Sequence, residues 1–305
     1  MQTILGANGT IGNELSRHLP DYTKEVRQVS RNPKQVNSSD QTVAADLLNY
    51  SQTEKAVEGS DVVYLTAGLK YDTKVWQVQW PKVMRNTIDA CKKHNAKLAF
   101  FDNVYAYGHV VGRMTEETPF NPNSRKGEVR AKIATMLLEE IRSGNITGMI
   151  VRSADFYGPN VSQSITHTTV TQRVKKGKSA QWIGDSNAIH SFTYTPDAGK
   201  ALAILGNTPN AYNQTWHALT SQEKITGQEF VKVACNSLGH PYNGVTNLSK
   251  FTIRMLGLFV PVLRELVEMM YQFENDYIFD SKKMDDQFQI KPTPYKVGIE
   301  TTMKS

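Results

Sequence analysis

Short apolar runs alternate with longer stretches of helical periodicity through the first half of the chain. Beyond an apolar run at the N-terminus, the runs that predict strands lie at residues 25–30, 61–65, 97–102 and 148–152. Strands that alternate with helices of this length form parallel sheets through right-handed crossovers. The pattern therefore predicts an α/β protein with a Rossmann-type, doubly wound parallel sheet.

The regular alternation ends after Gly158 and Pro159. Residues 160–191 and 241–280 are less regular, which predicts a smaller C-terminal lobe that binds substrate over the open ends of the strands. We expect residues 1–159 to form an NAD(P)-binding Rossmann domain and residues 160–305 to belong mainly to the substrate lobe. A strand and a helix at about 190–220 are expected to return to the first domain.

The first apolar run leads directly into a glycine-rich turn, and a helical pattern follows it. Gly6 permits a sharp turn, Gly9 lets the backbone approach a pyrophosphate, and Gly12 lets the helix pack close to the strand. The free N–H groups at the start of the helix then face the phosphates. The residues that we expect to contact the dinucleotide here are Gly6, Asn8, Gly9, Thr10, Ile11 and Gly12.

Side chains at the ends of the next strands predict which dinucleotide is bound. Arg31 follows the second strand, where an NAD-specific protein normally carries an acidic residue. Its guanidinium suits a 2′-phosphate, so NADP is the expected cofactor and NAD the alternative; otherwise Arg31 is a solvated loop residue. Asp46 and Leu47 are placed to meet the adenine, unless Asp46 caps the next helix. Ala67 and Gly68 are placed to meet the pyrophosphate and ribose.

Charge and composition argue against several classes of function. The 305 residues carry a formal net charge of +6, but the basic residues are dispersed, which indicates a solvated surface rather than a nucleic-acid site. The two cysteines lie far apart and His167, His190 and His217 are scattered, so no metal site is predicted. The first apolar run is too short for a secretory signal. We therefore expect a soluble, cytoplasmic protein that acts on a small molecule.

An apolar stretch near the C-terminus has helical spacing over residues 251–271. Packing in the core or in a lid is the first interpretation. A subunit interface, and hence a homodimer, or a membrane surface would use the same stripe. Because Glu265 and Glu268 accompany Arg264 on the polar face, we do not expect contact with a membrane.

Four segments of the chain resemble one known family. They are LGANGTIG at 5–12, FFDNVYAYG at 100–108, VRSADFYGP at 151–159 and HSFTYTPDAGKAL at 190–202. They are similar to the extended short-chain dehydrogenase/reductases, the NAD(P)-dependent epimerase/dehydratase group that includes sugar-nucleotide epimerases. The resemblance covers nearly the whole chain. It implies a site in which a Ser or Thr orients the substrate oxygen, while a Tyr-x-x-x-Lys motif supplies a phenol and a lysine that binds the nicotinamide ribose.

The catalytic positions of this sequence differ from the family's pattern. Asn103 stands at the Ser/Thr position, and Glu128 and Lys132 are the match for the Tyr-x-x-x-Lys pair. The resemblance implies that Lys132 binds ribose, whereas Glu128 either pairs with Lys132 one helical turn away or acts as a base. The nearest substitute phenol is Tyr105. We hypothesise that Tyr105 is the proton donor and Asn103 an amide that orients the substrate oxygen; otherwise Tyr105 is a packing aromatic.

The same strand ends lead to three alternative functions. Tyr157 follows a later strand and either lines the nicotinamide pocket or packs in the core. The first hypothesis is an NADP-dependent oxidoreductase for a small carbonyl or hydroxyl compound. The alternatives are a nucleotide-sugar epimerase or dehydratase and a non-catalytic NADP-binding sensor. An open pocket beside Tyr105 would favour an enzyme, whereas a pocket filled by the protein's own side chains would favour the sensor.

Overall fold

A computed structural model describes residues 1–161 and 164–305 of the chain. Its strands, in chain order, are β1 (Gln2–Leu5), β2 (Val26–Ser30), β3 (Gln41–Ala44), β4 (Val62–Leu65), β5 (Lys97–Asn103), β6 (Arg113–Met114), β7 (Gly148–Ser153), β8 (Asp155–Tyr157), β9 (Ala180–Ile183), β10 (Phe192–Tyr194), β11 (Thr215–His217), β12 (Val245–Leu248) and β13 (Ile278–Phe279). Its α-helices are α1 (Thr10–His18), α2 (Tyr50–Val57), α3 (Thr73–His94), α4 (Arg125–Arg142), α5 (Gln172–Lys175), α6 (Thr195–Gly206), α7 (Gly227–Ser237), α8 (Lys250–Leu256), α9 (Pro261–Leu266), α10 (Lys282–Phe288) and α11 (Tyr295–Lys304). Two short 3₁₀ segments matter for the site, Tyr105–Tyr107 and Val267–Gln272.

Seven parallel strands form the central sheet, in the order β11-β7-β5-β4-β1-β2-β3. Every residue of β1, β4 and β7 is buried, because helices cover both faces of a parallel sheet. The strand order reverses beside β1, and the crevice at such a point is where α/β sheets bind ligands. The prediction of a Rossmann-type α/β fold is confirmed.

Two apolar layers hold the helices to this sheet. Side chains of α2, α3 and α4 pack on one face, and those of α1 and α6 pack on the other. Helices α1 and α6 approach so closely that a Cβ on Gly199 would lie 2.6 Å from the backbone carbonyl carbon of Glu14. The chain thus returns to the central sheet through α6 and the edge strand β11.

A second lobe lies beyond the carboxyl ends of β5 and β7. It contains three two-stranded parallel pairs, β8 with β10, β9 with β12, and β6 with β13. Its main apolar cluster is aromatic, with Tyr157, Trp182, Phe192 and Phe230 buried together. A smaller cluster, which includes Ile253 and Leu266, holds α8 and α9 to this lobe.

Candidate functional site

The glycine turn, residues 6–12, requires its glycines for steric reasons. Gly6 has φ +116°, and a Cβ there would lie 2.4 Å from the backbone nitrogen of Ala67 at the end of β4. A Cβ on Gly12 would lie 2.8 Å from the carbonyl oxygen of Gly6. Gly9 is the N-cap of α1 and has no side chain to bond the first amides of the helix. The N–H groups of the first turn are therefore left for an anionic ligand, as in a dinucleotide cradle.

Asn8 joins the glycine turn to the loop that carries Arg31. Asn8 has φ +69°, and its Oδ1 accepts a hydrogen bond of 3.1 Å from the backbone N–H of Lys34. The amides of Gly6 and Ala7 both donate to the carbonyl of Val29 in β2. Arg31 is exposed directly after β2, in the loop that this hydrogen bond joins to the turn.

The next two strand ends bring the remaining dinucleotide candidates to the same edge. Asp46 is half-buried after β3, and its Oδ1 accepts from the N–H of Leu48 at 3.0 Å. The alternative that Asp46 caps a helix is wrong, because Asn49 is the N-cap of α2. Leu47 packs against the core beneath this edge, and Ala67 contacts the glycine turn from β4. Gly68 is exposed beside it.

At the end of β5, the amide of Asn103 has a defined orientation. Its Oδ1 accepts a hydrogen bond of 3.0 Å from the backbone N–H of Tyr105. Because an amide oxygen accepts and an amide nitrogen donates, this bond leaves the Nδ2 hydrogens as donors for a ligand. The half-buried Tyr105 ring stacks on Trp76, with centroids 6.2 Å apart. Burial, followed by the neighbouring Tyr71 and the Asp155 carboxylate, raises the pKa of Tyr105 well above its usual value, so the phenol keeps its proton.

The start of α4 is fixed against the Tyr105 turn. Ser124 caps the helix by accepting a hydrogen bond from the N–H of Gly127 at 3.0 Å. A Cβ on Gly127 would lie 2.6 Å from the carbonyl oxygen of Tyr105, so helix and turn touch through backbone. This contact directs Lys126 and Arg130, one helical turn apart, toward the sheet; both are buried.

Lys126 is the centre of a polar cluster between the two lobes. Its Nζ donates to Oε2 of Glu265 at 2.6 Å and to Oε1 of Glu268 at 2.8 Å. It also donates to Oγ1 of Thr73 at 2.8 Å and lies 4.7 Å from the centre of the Tyr71 ring. We call Lys126, Thr73, Glu265 and Glu268 the Lys126 cluster. Its carboxylates come from the second lobe and satisfy the ammonium of Lys126 within the protein.

Contacts within the Lys126 cluster also lower the pKa of Glu265. Desolvation raises the pKa of this carboxyl, but hydrogen bonds from Lys126 and Thr73 outweigh it, and the net pKa is lowered. The charged form of Glu265 is therefore the one that the fold stabilises. Glu268 binds the helix start as well, since it accepts a hydrogen bond of 2.9 Å from the backbone N–H of Arg125.

A second polar group lies deeper, beneath β5, β7 and β11. The buried carboxylate of Asp102 accepts from Nε of Arg130 at 2.7 Å and lies 3.5 Å from Nε of Arg152. Arg152 donates to the hydroxyl of Tyr107 at 3.0 Å, and this hydroxyl is 2.9 Å from Nε2 of His217. We call these five residues the buried arginine network.

His217 is neutral within the buried arginine network. Burial, with smaller contributions from Arg152 and Lys283, lowers its pKa to about 3, although a hydrogen bond to the Asp280 carbonyl acts in the opposite direction. Because a carbonyl only accepts, Nδ1 carries the proton that it donates to Asp280 at 2.6 Å. Nε2 is therefore the acceptor for Tyr107. Both ring nitrogens of His217 are thus paired within the protein, whereas Oδ2 of Asp102 and Nη2 of Arg152 are buried without a hydrogen-bond partner.

Comparison with known proteins agrees with this geometry. Residues 3–216 match the family described as the NAD dependent epimerase/dehydratase family, which is more than half of the chain. The chain belongs to this family. Among curated relatives, it is 23% identical over 295 residues to the 3beta-hydroxysteroid-dehydrogenase/decarboxylase isoform 2 of Arabidopsis thaliana, over 87% of this chain and 52% of the relative. Isoform 1 is 24% identical, over 87% of this chain and 66% of the relative. The chain thus spans between half and two thirds of the length of these relatives.

Solved structures of the family share the fold. The UDP-glucose 4-epimerase of Thermus thermophilus in complex with NAD superimposes with a TM-score of 0.81 at 17% identity, over 100% of this chain and 98% of the other. The Bacillus cereus UDP-glucuronic acid 4-epimerase in complex with NAD gives 0.79 at 18% identity, over 100% and 98%. The dTDP-glucose 4,6-dehydratase DesIV from Streptomyces venezuelae with NAD and TYD bound gives 0.76 at 16%, over 100% and 96%.

The two residues that the sequence spacing matched to the family's Tyr-x-x-x-Lys pair lie on the surface of α4. Glu128 and Lys132 are exposed on the outer side of α4, and no ion pair joins them among the residues that the structure describes. The ion pair expected between them is therefore not formed, whereas their match to Tyr-x-x-x-Lys stays a prediction. Lys126 and Arg130 have the same spacing on α4, and both are buried.

Tyr157 lies away from the glycine turn, in the aromatic core of the second lobe. Its ring centre is 5.3 Å from that of Tyr194 and 5.7 Å from that of Phe230, and its side chain is buried. This corrects the placement of Tyr157 in a nicotinamide pocket in favour of the packing alternative. Its neighbour Asp155 accepts from Nε2 of the buried His190 at 3.0 Å when that nitrogen carries a proton.

Sequence reasoning missed the buried charged residues near the carboxyl ends of β5 and β7. Asp102 and Arg152 are charged residues inside otherwise apolar strands, and burial of such charges requires partners. That signal was available in the sequence, whereas the pairing of Lys126 with Glu265 joins residues 139 positions apart. The part of the chain that the structure describes contains no metal-ligand cluster and no helix long and apolar enough to cross a membrane.

Proposed function

We propose that this member of the epimerase/dehydratase family binds NADP and acts as an oxidoreductase on a small carbonyl or hydroxyl compound. The glycine turn supports binding of a nicotinamide dinucleotide, since its first-turn amides and Gly9 leave room for the pyrophosphate. Bound NADPH would supply a hydride to the carbonyl carbon. Tyr105 would give its phenolic proton to the carbonyl oxygen, which yields an alcohol, and would recover a proton from solvent.

The observation that carries this proposal is the orientation of Asn103. Its Oδ1 is held by the Tyr105 backbone, so its Nδ2 hydrogens remain to orient a substrate oxygen next to the Tyr105 phenol. Both residues lie at the end of β5, one strand from β4 and two from the glycine turn. A donor amide and a protonated phenol at the edge where dinucleotides bind in this fold support the proposed roles of Asn103 and Tyr105.

The preference for NADP rests on Arg31. The side chain is exposed at the end of β2, beside the loop that Asn8 holds to the glycine turn. A guanidinium there can bind a 2′-phosphate with two parallel hydrogen bonds. The three solved relatives described above contain NAD, so their cofactor does not decide between the two dinucleotides for this chain.

The test combines binding with turnover. Purified protein is titrated with NADPH and NADH by fluorescence, and NADPH absorbance is then followed with aldehydes, ketones, quinones, ketosteroids and sugar nucleotides. We expect tighter binding of NADPH and turnover with at least one carbonyl class. On that substrate, Tyr105→Phe should reduce kcat by about 100-fold or more, the usual contribution of a general acid. Tyr50→Phe, at an exposed tyrosine, is the control.

A non-catalytic NADP-binding sensor is the second candidate, and the Lys126 cluster favours it. Two carboxylates of the protein already bind the buried Lys126 beside the Tyr105 turn. A sensor would bind NADPH and oxidise none of the panel, whereas unchanged kcat in Tyr105→Phe would exclude Tyr105 as the proton donor. A nucleotide-sugar epimerase or dehydratase would instead convert a sugar nucleotide without net oxidation of NADPH. Tighter binding of NADH would overturn the assignment of NADP.

A further inference from the structure

Helices α8 and α9 form a hairpin with an unusually apolar outer surface, which we call the apolar hairpin and define as residues 250–264. Phe259 is 85% exposed, Phe251 74% and Leu258 69%. The other exposed large apolar residues of the hairpin are Met255, Leu256, Val260 and Val262. Single exposed apolar side chains are common, but a contiguous group of this kind marks an interaction surface.

These exposed side chains are not the face that holds the hairpin to the protein. Ile253 and Leu266 point inward and are buried with Met269 and Met270. The two helices approach closely at Gly257, where a Cβ would lie 2.9 Å from the Cα of Arg264. The hairpin therefore has an internal apolar face that stabilises it and a separate outer apolar face.

The charges on the apolar hairpin all have one sign. Lys250, Arg254 and Arg264 are exposed, and the sequence contains no acidic residue between positions 250 and 264. The two acidic residues that follow, Glu265 and Glu268, bind Lys126 and are turned toward the first lobe. The sequence pattern predicted that these carboxylates lie on the polar face of the stripe. In the structure they pair with Lys126 instead.

We propose that the apolar hairpin docks on the surface of an anionic lipid bilayer. Phe251, Leu258 and Phe259 would enter the boundary between head groups and acyl chains, while Lys250 and Arg254 would bind anionic head groups. Charge complementarity favours this occupant, since the charged residues within the hairpin are all cationic and match a negatively charged surface with an apolar interior. Glu274, outside the hairpin, lies 3.9 Å from Nζ of Lys250, which leaves Arg254 and Arg264 as the cations without such a pair among the described residues. Docking would place the membrane next to the Lys126 cluster, because the chain runs from the hairpin directly into Glu265.

Vesicle sedimentation tests this proposal with the full chain. The wild-type protein is mixed with vesicles of phosphatidylcholine, with or without phosphatidylglycerol, and the bound fraction is measured. We expect binding to the mixed vesicles and at least tenfold weaker binding to pure phosphatidylcholine. The double variant Leu258→Ser/Phe259→Ser should lose about tenfold or more in partition coefficient. Val111→Ser, at a side chain 91% exposed outside the hairpin, should bind as the wild type does.

The controls distinguish docking from loss of fold and from self-association. Circular dichroism and thermal unfolding of the double variant should match the wild type, because both residues are exposed. Analytical ultracentrifugation should give the same mass for wild type and double variant. Lack of binding to mixed vesicles, or equal loss in Val111→Ser, would overturn the proposal. A concentration-dependent dimer that the double substitution abolishes, without vesicle binding, would assign the hairpin to a second copy of the chain instead.

Discussion

The two ends of the sheet's carboxyl edge use their polar groups in opposite ways. At β1 and β2, the glycine turn leaves helix amides without a side-chain cap, and Arg31 is exposed beside it. At β5 and β7, Lys126 binds two carboxylates, and Arg130 shares Asp102 with Arg152. The glycine turn is thus left open to a ligand, whereas the ends of β5 and β7 are occupied by internal ion pairs.

The largest effect should come from breaking the buried arginine network at Asp102. Asp102→Ala leaves two buried guanidinium groups without their carboxylate, which costs about 3–5 kcal/mol in the free energy of unfolding. Urea denaturation measures this loss. Glu128→Ala, on the exposed side of α4, should change stability by no more than about 0.5 kcal/mol. A loss at Asp102 below about 1 kcal/mol would mean that the occupied end does not depend on these ion pairs.

The glycine turn gives the next largest effect. Gly6→Ala forces a side chain into positive φ and against the backbone of Ala67, with strain of about 1–3 kcal/mol. We expect the affinity for NADPH to fall about tenfold or more, measured by fluorescence titration. Gly59→Ala is the matched control, because Gly59 also has positive φ but a Cβ there meets no atom within 4 Å. Equal affinities in the two variants would contradict the steric account of the turn.

Acidification should lower the free energy of unfolding because of the lowered pKa of His217. Its folded pKa, about 3, is below its ordinary value of 6.5, so between these values the unfolded chain binds a proton that the folded chain does not. The contribution of neutral His217 to the free energy of unfolding is fully present above pH 6.5 and is lost as the pH falls toward 3. The loss is at most about 1.4 kcal/mol per pH unit for this proton.

The variant His217→Gln removes this titration and should flatten the slope of unfolding free energy against pH in that window. Denaturation at several pH values measures both slopes. Glu116→Gln is the contrasting variant, because Glu116 accepts from the backbone N–H of His217 and burial raises the pKa of its carboxyl. Its removal should steepen the slope, in the opposite sense to His217→Gln. A slope that persists unchanged in His217→Gln would show that another group titrates there.

The smallest effects separate the two basic residues that the sequence assigned to the cofactor. Arg31→Ala should weaken NADPH binding about tenfold and leave NADH binding within about twofold, because only the 2′-phosphate contact is lost. Lys132→Ala should change neither affinity, since Lys132 is exposed on the outer side of α4. Parallel titrations measure both. An effect of Lys132→Ala as large as that of Arg31→Ala would restore the role that the sequence spacing gave to Lys132.

The sequence predicted those features that depend on local sterics and missed those that depend on contacts between distant segments. Apolar runs and glycine spacing are local signals, and they predicted the parallel sheet and the turn at Gly6 because local sterics determine both. The phase of α4 depends on a contact of Gly127 with the Tyr105 turn, which no spacing rule contains. With that contact, Lys126 and Arg130 face the sheet; without it, Glu128 and Lys132 were the better match to the motif.

Contacts between distant segments could not be predicted from local patterns either. Glu265 and Glu268 belong by spacing to the polar face of an amphipathic stripe, and only the packing of the second lobe brings them to Lys126. Their removal from that face changes the expected partner of the apolar hairpin. Tyr157 shows the converse, since a tyrosine after a strand end lies in a lobe core that the central sheet does not predict.

The central claim is that the glycine turn is open to a dinucleotide while the Lys126 cluster is occupied by the protein's own side chains. The most direct test is an NADPH titration of the wild type and of Lys126→Met. We expect saturable binding in both, with dissociation constants that agree within about threefold, because the contacts of Lys126 are with the protein itself. Absence of saturable binding to the wild type would contradict the assignment of the glycine turn. A loss in Lys126→Met as large as in Gly6→Ala would contradict the separation of the two ends.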